Sequence, residues 1–176
     1  TIGLLRGDVA STLGLRRGIP VSSGGGDNMM AAIGTGNVVA GRLTVSLGTS
    51  GTLFASADKP IIDPQGALAA FCSSTGDWLP LLCTMNCTVT TELTRRLFAL
   101  DTAQLEHRAG AVPVGSHGIM TLPFFNGERT PNLPRGKGCI LGLDDRNYAS
   151  ENLLRSAMES VVYGLRAGLD RFSEYG

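Results

Sequence analysis

Histidine is scarce in this chain: only His107 and His117 occur among 176 residues. The four cysteines, Cys72, Cys83, Cys87 and Cys139, include no CxxC pair. A structural zinc site, which needs clustered ligands, is therefore not expected. His107 lies in a polar stretch and His117 has no Ser or Cys elbow near it, which argues against a Ser-His-Asp or Cys-His hydrolase. No charge of one sign prevails, since Lys+Arg and Asp+Glu are both 15. With no basic stripe, nucleic acid is not an expected partner. The longest apolar runs fall well short of the roughly 18–20 residues of a membrane span. No charged start with an apolar centre marks a leader. The expectation is a cytoplasmic protein whose thiols are reduced and mostly buried. A Walker A lysine motif is missing, and no complete G-x-G-x-x-G follows a strand, so P-loop and Rossmann readings are weak. There is no repeat and no Gly/Ser or Pro linker. With 43% apolar residues the chain can bury one core.

Glycine, by contrast, is plentiful at 24 residues, and it gathers in two informative turns. The first is Gly24-Gly25-Gly26-Asp27-Asn28; the second is Ser46-Leu47-Gly48-Thr49-Ser50-Gly51. Asp27 reads two ways. It can be the N-cap of a helix, or a general base taking a hydroxyl proton, and one residue can do both. Three glycines before it let the backbone turn and a ligand come close. Asn28 carries a donor and an acceptor suited to a polyol hydroxyl. The second turn is either a solvated hairpin or a cradle of N–H groups and hydroxyls for an anion. A third segment, Asn126-Gly127-Glu128-Arg129-Thr130-Pro131, reads as a loop. Its Glu128–Arg129 pair suggests an ion pair or a group shaping a cleft.

The pattern along the chain predicts mixed α/β structure with antiparallel pairs. A short strand falls near Gly18–Val21 and a helix over Asp27–Ile33. Strands are expected at Leu43–Leu47 and Thr52–Ser56, joined by the Gly48–Gly51 turn. A second strand pair, Ala67–Ser73 and Trp78–Cys83, turns at Gly76-Asp77. Helices follow over Thr88–Ala99 and Thr102–Ala109, then strands at Ile119–Pro123 and Cys139–Leu143. The longest helix runs from Ser150 to Phe172. Leu154, Met158, Val161, Val162, Leu165, Leu169 and Phe172 are expected along one apolar face.

Taken in order and at their spacing, the two glycine turns, the Asn126–Pro131 loop and the helix segment Met158–Asp170 resemble the FGGY carbohydrate kinases. The resemblance covers most of the chain. It implies an actin-like, ribonuclease-H-like ATPase fold, here a partial domain with a mixed sheet and flanking helices. It implies ATP and Mg2+ as cofactors and a small-molecule sugar as acceptor, most naturally a ketopentose, with ribulose, gluconate or glycerol as the other acceptors of the class. Asp27 would be the catalytic base and, with Asn28, a sugar contact. Gly48, Thr49 and Ser50 would hold phosphate oxygens, and no residue is assigned as a metal ligand. The other open reading is a non-catalytic actin-like module that binds nucleotide or a partner.

Two motifs of that family have no match here: an early Asp-x-Gly-Thr phosphate loop and a later Gly-Gly-Gly-x-x-Ser adenosine motif. Residues 1–176 are therefore expected to form one incomplete piece of the C-terminal kinase domain, inactive alone and binding ATP more weakly than millimolar. No membrane association is expected, and a homodimer is the assembly allowed for.

Overall fold

The computed structural model describes residues 1–175. Its elements run β1 (Gly3–Leu4), α1 (Gly7–Leu13), β2 (Pro20–Val21), α2 (Asp27–Gly34), β3 (Leu43–Leu47), β4 (Gly51–Ala55), β5 (Ala69–Cys72) and β6 (Trp78–Thr84). Then come α3 (Thr88–Leu97), α4 (Thr102–Gly110), a single 3₁₀ turn (Ser116–Gly118), β7 (Met120–Leu122), β8 (Cys139–Leu141) and α5 (Ser150–Ser173). Four strands form the central sheet in the order β3-β4-β6-β5, every neighbour antiparallel. Two small antiparallel pairs, β1-β2 and β7-β8, lie outside it.

Side chains alternate across the pleat, and this sheet is covered on both faces. Leu53 and Leu82 pair across β4 and β6 and face α5. There they form the main core with Leu68, Cys87, Val161, Leu165 and Phe172. Their neighbours Phe54 and Leu81 point the other way, with Leu79, onto Ala32 and Met29 of α2. A third cluster, Leu100, Ala109 and Leu154, packs α4 onto the start of α5. Gly168 allows α5 to approach closely, because a Cβ there would lie 2.9 Å from Leu82 Cδ2 and 3.0 Å from Leu53 Cδ1.

Several expectations shift. The α5 stripe is narrower than the periodicity suggests: Met158, Val162 and Leu169 are 37%, 59% and 36% exposed. The helix is wedged between the sheet and α4, so its buried line runs through Leu154, Ala157, Val161, Leu165, Gly168 and Phe172. β5 begins two residues late because the N–H groups of Ala67 and Leu68 go to the Asp63 carboxylate instead of a strand ladder. The last two short strands end at Leu122 and Leu141 and pair with each other. The short strand expected near Gly18–Val21 is β2, at Pro20–Val21, whereas β1 and α1 were not anticipated, a two-residue strand carrying no alternation to read. The thiols are less hidden than expected: Cys87 alone is buried, Cys83 is half-buried, and Cys72 and Cys139 are exposed. No helix among the described residues is long and apolar enough to cross a membrane.

Candidate active site

Asp27 is the first residue of α2, not its cap; Gly26, with extended backbone, takes the cap position. Two stereochemical facts favour this arrangement. Glycine tolerates the tight entry, as a Cβ on Gly26 would lie 2.8 Å from Met29 Sδ. A carboxylate in the first helical turn meets the positive end of the helix dipole. The Asp27 side chain is exposed, and its Oδ1 accepts the Asn28 N–H at 2.8 Å. Oδ2 has no partner among the described residues, which leaves it available to a proton. The Asn28 amide is half-buried and likewise unpartnered among them.

The turn between β3 and β4 holds three residues, Gly48, Thr49 and Ser50, since Leu47 pairs with Gly51. It is tied down from one side. The Gly48 carbonyl accepts from Thr88 N at 3.0 Å and from Thr88 Oγ1 at 2.8 Å. The Thr49 carbonyl accepts from Cys87 N at 3.0 Å, and the Ser50 carbonyl from Gly48 N at 3.1 Å. Thr88 opens α3, so the turn sits on the positive end of that helix. The N–H groups and hydroxyls of Thr49 and Ser50 have no protein partner among the described residues, and both residues are exposed. Adjacent exposed backbone N–H groups with hydroxyls beside them can serve as an anion seat.

No hydrogen bond links Asp27 or Asn28 to the Gly48–Ser50 turn among the described residues. Past the C-terminal end of α2, Asn37 donates to Phe54 O at 3.0 Å and to Thr44 Oγ1 at 3.0 Å.

The third sequence segment behaves differently from an ion pair. Glu128 is 3% exposed, and its carboxylate accepts Met85 N at 2.5 Å, Arg129 N at 2.7 Å and Asn86 Nδ2 at 3.0 Å. Asn86 also donates to Gly127 O at 2.6 Å, and Thr130 Oγ1 donates to Cys83 O at 3.1 Å. The loop is thereby fastened to the end of β6, next to the turn that precedes α3. Its guanidinium, that of Arg129, has no carboxylate partner among the described residues and lies beside the Cys83 thiol. Burial pushes that thiol up and Arg129 offsets part of the rise. Sequence reasoning missed the roles of Glu128, Asn86 and Thr88, because their partners lie about 40 residues away and no local pattern marks them.

A cavity of about 880 Å³ opens between α5 and this loop, lined in part by Thr84, Phe124, Glu128, Tyr163, Gly168 and Arg171. None of Asp27, Asn28, Gly48, Thr49 and Ser50 lines it. Among the described residues no three His, Cys, Asp or Glu side chains gather as a set of metal ligands.

This geometry has relatives. The chain is 49% identical over 175 residues to a xylulose kinase of Haemophilus influenzae, covering 99% of this chain and 36% of that protein. The solved xylulose kinase of Bifidobacterium adolescentis is 36% identical and superposes with a TM-score of 0.77, over 88% of this chain and 31% of that one. That of Rhodospirillum rubrum reaches 0.88 at 25% identity, over 99% and 36%. The chain thus spans about a third of the length of the proteins it matches, and its fold is the actin-like one of those sugar kinases. The sequence signature described as the FGGY family of carbohydrate kinases, C-terminal domain, matches residues 43–176. Asp27 and Asn28 precede that match, while the turn, the Glu128 loop and α5 fall inside it. With three-quarters of its residues under that signature, the chain belongs to the FGGY family of carbohydrate kinases.

Proposed function

We propose that the protein to which these residues belong transfers the γ-phosphoryl group of ATP to a hydroxyl of D-xylulose, in the cytoplasm. The observation that carries this reading is the pair of backbone N–H groups at Thr49 and Ser50, unpartnered among the described residues, in a turn whose carbonyls are held by the Cys87 and Thr88 N–H groups at the start of α3. Two adjacent donors and two free hydroxyls suit the oxygens of a polyphosphate. Magnesium would arrive on the nucleotide and neutralise developing charge between phosphates. The choice of xylulose rests on the names of the relatives; ribulose, gluconate and glycerol are the competing acceptors.

In this reading the sugar oxygen attacks the γ-phosphorus, a new P–O bond forms, and the bond to the β-phosphate oxygen breaks to release ADP. The hydroxyl proton passes to Oδ2 of Asp27, the carboxylate oxygen with no partner among the described residues. Asn28, one residue on, orients the acceptor through its amide. Gly48, Thr49 and Ser50 hold the transferring end of the nucleotide. Positioning and charge stabilisation do most of the catalytic work in phosphoryl transfer, and the base adds a smaller factor.

The test is steady-state kinetics on the full-length product of the gene, with ADP release coupled to a spectroscopic assay and a panel of ketoses and polyols. Xylulose is expected to give the highest kcat/KM. Asp27→Asn is expected to keep the fold and lower kcat by roughly 10²–10⁴, the usual range for loss of a general base. Near-normal kcat in that variant removes Asp27 from the mechanism. Turnover of another acceptor, with none of xylulose, moves the assignment to that acceptor. Nucleotide binding without any turnover favours the non-catalytic module.

A further inference from the structure

The clamp on the phosphate turn comes from the first residue of α3. A trans peptide is planar, with its C=O and the following N–H pointing in opposite directions. Whatever fixes the Gly48 carbonyl therefore fixes the Thr49 N–H. Thr88 supplies two donors to that one carbonyl, its N–H at 3.0 Å and its hydroxyl at 2.8 Å. The next peptide is fixed in the same way: Cys87 N–H takes the Thr49 carbonyl at 3.0 Å and turns the Ser50 N–H outward. The Gly51 N–H, beyond the turn, points inward to Thr84 Oγ1 at 3.2 Å. So the amides of Thr49 and Ser50 are aimed away from α3.

We propose that Thr88 is a positioning residue for the nucleotide phosphates: its hydroxyl and amide lock the Gly48–Thr49 peptide plane so that the amides of Thr49 and Ser50 form a preset anion seat. The proposal rests on the kinase reading above. Thr88 does not touch the phosphate. It removes the need to reorient a peptide when phosphate binds, and the energy of that reorientation would otherwise come out of affinity. Its side chain is exposed, so no core packing depends on it. Valine at this position keeps shape and backbone N–H but loses the hydroxyl donor, and serine restores the donor.

The experiment uses the full-length gene product labelled with [15N]threonine and [15N]serine, titrated with magnesium and ATP in the absence of sugar. Calorimetry gives affinity and amide shifts report Thr49 and Ser50. In the unmodified protein both amides are expected to move on saturation. Thr88→Val is expected to weaken nucleotide affinity by about threefold to tenfold, the worth of one hydrogen bond. It should raise KM for ATP by a similar factor, leave KM for the sugar unchanged, and keep the melting temperature within a few degrees. Thr88→Ser should restore the affinity. Unmoved Thr49 and Ser50 amides on nucleotide binding, or unchanged affinity in Thr88→Val, overturns the proposal while sugar phosphorylation by the unmodified protein leaves the kinase reading standing. An unmodified protein that neither binds the nucleotide nor phosphorylates any sugar sinks both.

Discussion

Glu128 shows how one side chain can organise a loop that sequence reads as a surface ion pair. A buried carboxylate is costly unless its oxygens are met by donors. Here three N–H groups meet them, from Met85, Asn86 and Arg129, while the neighbouring guanidinium has no carboxylate partner among the described residues and lies beside the Cys83 thiol. Exchange of Glu128 for Gln tests this. The glutamine oxygen can serve Met85 and Arg129, but its NH2 then faces the Asn86 NH2, donor against donor. Glu128→Gln is expected to cost about 1–3 kcal/mol, seen as a lower urea midpoint at unchanged m. A change below about 0.5 kcal/mol would mean the loop is held by other contacts.

At the scale of elements, the end of α5 is fastened to the loop between β4 and β5 through Asp63. Its side chain is fully buried and accepts from Arg171 Nη2 at 2.5 Å and Tyr175 OH at 2.9 Å. The N–H groups of Gln65, Ala67 and Leu68 complete the set at 3.0, 2.9 and 3.1 Å. The Arg171 guanidinium above all holds the Asp63 carboxyl well below the ordinary value of 3.8, against the opposing effect of burial. The sign follows from that direction. The folded state favours the ionised form, so the stability it contributes is complete above 3.8 and is lost as pH falls toward the folded value. The melting temperature should stay level from about pH 7 to 5 and drop steeply below about pH 4. Asp63→Asn should lower it at neutral pH and flatten part of the acid limb. An acid limb as steep in Asp63→Asn as in the unmodified protein would assign the transition to other carboxylates whose values are also lowered, such as Glu92 and Glu159.

For the molecule as a whole, α5 presents two apolar lines. One is buried in the core, and the other, Met158, Val162 and Leu169, spaced four and seven residues apart, faces outward. The edge strand β3 exposes Val45 and Leu47 at 50% and 60%. An apolar stripe and an unpaired strand edge both favour association between chains. The 176-residue chain, produced by itself, is expected to self-associate in sedimentation velocity as concentration rises. Val162→Glu should return it toward monomer. A clean monomer of the unmodified chain at high concentration would show that the stripe drives nothing.

Local pattern determined much of this protein. Alternation placed β3, and the turns beside them placed β4 and β6, all within a residue of their ends, and apolar spacing found α3 and α5. The Gly48–Ser50 turn was legible because glycine and hydroxyls between two alternating runs have few other uses. The family could be read from the order of its motifs, since each keeps its residues within a short stretch. Which α5 residues turn inward was decided only when the sheet and α4 closed around the helix, because periodicity gives a face but not what covers it. Asp27 yielded the cap position to Gly26, a matter of backbone angles at a single residue. The Glu128 latch, the Asp63 anchor and the Thr88 clamp belong wholly to the tertiary structure. Each joins groups 40 or more residues apart in at least one of its bonds. Sequence proximity carries no trace of such pairings: the hydrogen bonds form only after the chain has buried its core and brought those loops together.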